Sequence, residues 1–160
     1  RTLNPIKQLV KVNSQDLESL NSICKGLPLA RAIGLTSMVE TSKGIRHIPM
    51  IDFDSSDPIP TLDKIGMSGM IIESGQSYHF YGFDLLDETE WRWFIGQIKG
   101  TRGVDEYWPD LQLQQGFSLL RLTPMRSKMY QPAFVQLFKP SSQGNNRNNL
   151  SQRHEYQFAA

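Results

Sequence analysis

The stretch Ile48-Pro49-Met50-Ile51-Asp52-Phe53-Asp54 constrains this chain most, because an apolar strand runs there straight into two carboxylates at i and i+2. Side chains alternate faces along a strand, so Asp52 and Asp54 point the same way. Two like charges side by side at the end of an apolar strand repel one another, and a divalent cation between them removes the repulsion. An Asp-rich strand end running out into solvent is the competing reading, and spacing alone leaves both open.

Composition sets the frame for that strand. With 160 residues and 39% hydrophobic content the chain is long enough for one cored domain. Its apolar runs fall well short of the roughly 18 residues of a membrane span, and a signal-peptide pattern is missing from its start. These features predict a soluble, cytoplasmic protein. Cys24 stands alone, which rules out an internal disulfide framework and a cysteine-based zinc cluster and fits a reducing compartment. Arg1 in place of a methionine marks a processed chain or a segment of a longer one.

The net charge of +1 conceals a split. Between Met50 and Asp110 lie 12 acidic and 4 basic residues, and the remainder carries 4 acidic and 13 basic. Such a division suits a carboxylate-lined site flanked by basic surface.

Along the chain, Ser14 can cap a helix with Leu17, Leu20 and Cys24 at helical spacing, closed by Gly26 and Pro28. A strand over 32–39, a turn at 41–44 and a returning strand over 45–54 read as a hairpin. Pro49 lacks an amide hydrogen and belongs at an edge or near a strand's beginning. His47 falls on the opposite side from Asp52 and Asp54 by alternation, so it is not counted as a ligand. A calcium-loop reading of Asp52 to Asp63 fails, because Asp57 stands where a glycine is required and two prolines interrupt. Strands follow over 69–73 and 77–82, the second placing Ser77, His79 and Tyr81 on one face. Asp87 and Glu90 form a capping box for a helix whose Trp91, Phe94, Ile95 and Ile98 make a core stripe. Residues 104–110 read as a short irregular element, 117–123 and 133–138 as strands, and 124–130 as a basic loop. A domain over 1–139 and a polar, disordered tail over 140–160 are the expected organisation.

Taken in order, the motifs resemble a known family. The Asp52-Phe53-Asp54 strand end, Ser77-Tyr78-His79 in a hairpin, an aspartate upstream of Leu120-Arg121-Leu122-Thr123 and the later Lys128 are similar to the archaeo-eukaryotic primase, or primase-polymerase, superfamily. Ser74 to His79, Glu90-Trp91, Gln115-Gly116 and Leu120 to Thr123 resemble its small bacterial primase-like group. The resemblance implies an α+β catalytic core of two packed, RRM-like sheet units with flanking helices. It implies a metal-dependent nucleotidyltransferase that adds nucleotides to a 3′ hydroxyl on a template, in DNA replication or repair. Asp52 and Asp54 would hold Mg2+ or Mn2+ with a third carboxylate, either Asp105, which is preferred, or Asp110. Ser77, His79, Arg121 and Lys128 would contact the nucleotide. Expected partners are a nucleotide triphosphate, a single-stranded DNA or RNA template, and other domains or proteins of a replication or repair system. The alternative is a non-catalytic nucleotide or nucleic-acid binding module. A nuclease and a plain scaffold domain are weaker rivals.

Overall fold

The computed structural model describes residue 18, residues 32–124 and residues 126–141. The helix expected over 14–24 lies outside these apart from Glu18, which is helical, and the expected tail lies outside them beyond residue 141. Strands β1 (Gly34–Thr36), β2 (Met38–Thr41), β3 (Gly44–His47) and β4 (Met50–Asp52) lead to helix α1 (Ile59–Ile65). Then come β5 (Gly69–Glu73), β6 (Tyr78–Gly82), α2 (Glu88–Ile98), α3 (Trp108–Gln115), β7 (Leu119–Arg121) and β8 (Ala133–Phe138). The class is α+β, as expected.

The described residues form three antiparallel sheets: a four-stranded sheet in the order β4-β6-β5-β8, and two ribbons, β1 with β7 and β2 with β3. The expected hairpin is more divided than its sequence suggests. Its first strand splits at Ser37, whose amide hydrogen bonds to the Ser118 carbonyl while its own carbonyl accepts from Ile48. The returning strand breaks at Ile48-Pro49, so that β3 stays with β2 while β4 joins the larger sheet. Pro49 sits immediately before β4, where its carbonyl accepts from Gly82; a missing amide costs nothing there.

One continuous core runs through the described residues. Ile51, Phe53, Ile71 and Phe80 fill one face of the large sheet, and Met50 and Tyr81 are buried on the other. Gly69 allows β5 and β6 to close on each other there, since a Cβ at that position would run into the Phe80 ring and the Tyr81 carbonyl. Helix α2 is capped as its sequence predicts: Asp87 accepts from the Glu90 amide and Glu90 from the Asp87 amide, both at 2.8 Å. Its stripe of Trp91, Phe94, Ile95 and Ile98 is buried.

A polar knot joins α2 to both ribbons. Trp91 stacks on His47 at 4.7 Å and donates Nε1–H to Ser118 Oγ. His47 Nδ1 bonds Ser37 Oγ at 2.9 Å and its Nε2 bonds Glu88 at 3.0 Å. Burial, only partly offset by Glu88, holds the His47 pKa below the usual 6.5, with Arg92 adding to the depression. A histidine depressed in the fold takes up protons more readily when unfolded, so its stability contribution is present above about pH 6.5 and is lost as the pH falls below it. Denaturant melts of the wild type and His47→Gln between about pH 7.5 and 5.5 check this: the stability difference between the two should shift against the wild type as the pH falls, since the Asp52 and His79 contributions are common to both.

The segment read as irregular over 104–110 runs into a helix instead. In α3, Pro109 occupies the first turn and Gly116 closes the helix with a left-handed φ of 82°. Its exposed Leu111 and buried Gln112 break any apolar stripe, which explains why periodicity gave no helical signal.

Candidate nucleotide and metal site

The site is built by strand register. Asp52 pairs with His79 across β4 and β6, His79 pairs with Ile72 across β6 and β5, and Ile72 pairs with Phe134 across β5 and β8. On the other side of β4, Phe53 forms an isolated antiparallel bridge with Val104. The Asp105 amide donates to the Asp52 carbonyl and the Asp54 amide to the Gly103 carbonyl, both at 2.9 Å. Phe53 and Val104 are buried on the core side, so alternation sends Asp52, Asp54 and Asp105 to the opposite face. Asp105, Asp52 and His79 therefore stand in one row across adjacent strands.

Asp52 is the electrostatic centre of that row. Burial, then the neighbouring Asp105 and Asp54 charges, push its carboxyl up to about 6, while Lys128 and Arg121 pull the other way. His79 is pushed down to about 4, by burial first and then by the Arg121 and Lys128 charges. It is a neutral imidazole at neutral pH, so its 3.6 Å approach to Asp52 through Nε2 is not an ion pair. Burial, and then the Asp52 charge, raise the phenol of Tyr81, which lies on the same face. His79 Nδ1 and the Tyr81 hydroxyl are both buried and have no hydrogen-bond partner among the described residues. Two such polar atoms beside a carboxylate of raised pKa are groups that a polar ligand could satisfy.

The remaining expected residues are distributed unevenly. Ser77 lies in the β5–β6 turn, its Oγ at 3.2 Å from that of Ser74. Arg121 donates Nη1–H bonds to the carbonyls of Thr123 and Tyr130 and an Nη2–H bond to that of Ser74. That leaves two of a guanidinium's five donors, so Arg121 ties the 123–130 segment to the Ser74 turn and acts on the site mainly through its charge. Lys128 is exposed, yet its charge reaches both Asp52 and His79. Asp110 lies on α3 and pairs with Lys99 at 2.8 Å. Asp105 is the carboxylate placed beside Asp52, with its Oδ1 accepting from the Tyr107 and Trp108 amides at the start of α3.

For a divalent ion, the donor chemistry fits and the spacing is open. Three carboxylates supply the hard oxygens that Mg2+ and Mn2+ prefer, and Asp52 carries the like-charge strain that a cation would relieve. As they stand, no three His, Cys, Asp or Glu side chains among the described residues converge closely enough to hold an ion. Their side chains would have to draw together as the ion binds.

Residues 11–132 match the archaeo-eukaryotic primase 1D-like family. That is most of the chain, and the protein belongs to this family of primase-like proteins. No curated protein and no solved structure gave a significant match. Among the described residues, no helix is long and apolar enough to cross a membrane.

Proposed function

We propose that this domain is a metal-dependent nucleotidyltransferase of primase-polymerase type, adding nucleotides to a 3′ hydroxyl along a single-stranded DNA or RNA template. The observation that carries the reading is the row of Asp105, Asp52 and His79 on one sheet face, with Asp54 beside it. Asp52, Asp54 and Asp105 would hold Mg2+ or Mn2+, which when bound supplies charge neutralisation for in-line phosphoryl transfer. The protein's own contribution is orientation and charge. Neutral His79 offers a phosphate oxygen a hydrogen bond without a competing ion pair to Asp52. Lys128 and Arg121 place positive charge where the triphosphate would lie, and Ser77 sits at the turn end of the same strand. The sequence carries no long basic run for gripping a duplex, so primer extension by the domain should be feeble and salt-sensitive, with partner domains or proteins supplying grip.

A non-catalytic nucleotide-binding module is the second reading. It is favoured by the open spacing of the carboxylates and by the carbonyl bonds that occupy Arg121.

Calorimetric titration with manganese tests the site. Asp52→Asn and Asp105→Asn should each weaken binding by at least about tenfold. Asp110→Asn, which breaks only an exposed ion pair worth about 1 kcal/mol or less, should leave it unchanged. Equal binding by all four proteins would remove the carboxylate row as a metal site.

A further inference from the structure

The row that begins at Asp105 does not stop at His79. It continues through half-buried Ile72 on β5 to Phe134 on β8, the edge strand, where Phe134 is 57% exposed. Leu137 pairs with Met70 one step along and is 65% exposed. Residues three apart on a regular strand face opposite ways, yet Phe134 and Leu137 both stand on the Asp52 face. The cause is a bulge: the β5–β8 register slips between Ile71 and Ile72, leaving Val135 unpaired. A bulge of this kind re-aims side chains, and here it turns Phe134 toward the carboxylate face.

An edge strand with exposed apolar side chains is a surface that folded proteins keep small unless a ligand uses it. At about 4.8 Å per strand, Phe134 lies about 10 Å from His79 along the row. On the other side of His79 the row holds only carboxylates. Along the row itself, a nucleotide whose phosphates lie over Asp52 and His79 thus finds apolar, open surface for its base toward β8. We propose that Phe134, flanked by Leu137, is the stacking platform for the base of the bound nucleotide. The proposal rests on the nucleotide-binding reading above and adds the side chain that recognises the nucleobase.

Titrations with a nucleoside triphosphate, ATP or dATP, and with inorganic tripolyphosphate, both in manganese, separate base from phosphate. Phe134→Ala should weaken nucleoside triphosphate binding by about tenfold or more, and Phe134→Trp should hold it within about threefold of the wild type. Tripolyphosphate affinity should be the same in all three proteins, which also shows that the variants keep their fold. Unchanged nucleoside triphosphate binding in Phe134→Ala would overturn the platform and leave the phosphate site standing. An equal loss for both ligands would also overturn it, making Phe134 a support of the fold. Weaker binding of a single-stranded oligonucleotide, with nucleoside triphosphate binding intact, would assign Phe134 to a template base and overturn the proposal as stated. Failure of the wild type to bind either phosphate ligand would remove the nucleotide site and the platform with it.

Discussion

Asp52→Asn is expected to make the domain more stable at neutral pH in the absence of divalent ions, although Asp52 is proposed as the central metal ligand. The Asp52 carboxyl is lifted from 3.8 to about 6, by burial first and then by Asp105 and Asp54 against the pull of Lys128 and Arg121. A carboxyl raised in the fold favours its protonated form there, so its contribution is fully present below about pH 4 and is lost as the pH rises toward 6. At pH 7 the ionised group costs up to about 3 kcal/mol at 1.36 kcal/mol per pKa unit. With 23% of the side chain exposed, a net gain of about 1–3 kcal/mol is expected from the uncharged isostere. Urea melts of both proteins in a chelator, at about pH 7 and about pH 4, check this; the difference should shrink at the lower pH. A variant less stable than the wild type at neutral pH would mean that Asp52 is held by compensating contacts rather than strained.

Trp91→Ala should have the opposite and larger effect. The indole is fully buried, stacks on His47, and its Nε1–H satisfies Ser118 Oγ, which lies next to β7. Truncation leaves a cavity between α2 and both ribbons and removes a buried hydrogen bond, so a loss of about 3–5 kcal/mol is expected. For a domain of this size that is a large part of the total stability. Trp91→Phe keeps the ring volume in part and should lose less. The check is the urea midpoint at constant slope, and a loss under about 1 kcal/mol for Trp91→Ala would show that the knot does not bind the layers together.

The elements were legible where local chemistry sets them. Period-two alternation around Tyr78 to Tyr81 and the capping box at Asp87 and Glu90 are local signals, and β6 and α2 follow them. Helix α3 was not legible, because its inward surface is Gln112 and Trp108 rather than an aliphatic stripe. Where the strands pair was also illegible. The switch at Ser37 depends on backbone bonds to Ser118 and Ile48, distant or unmarked in sequence, and Asp105 reaches Asp52 only through the Phe53 to Val104 bridge. Sequence order therefore left Asp105 and Asp110 as alternatives, whereas the fold sets one beside Asp52 and the other against Lys99. Alternation placed Tyr81 beside His79 but carried no sign that its hydroxyl is buried with no partner among the described residues. Phe134, the proposed base platform, carried no signal in the sequence, because its facing depends on the bulge at Val135, which has no glycine or proline to announce it.

The proposal of nucleotidyl transfer at the carboxylate row is tested most directly by primer extension in manganese at low salt, with the wild type run beside the double variant Asp52→Asn/Asp54→Asn. The wild type should add nucleotides slowly to a primer on a single-stranded template, and the variant should be slower by at least about a hundredfold. Equal incorporation by both would contradict the assignment, and incorporation by neither would leave the domain a binding module.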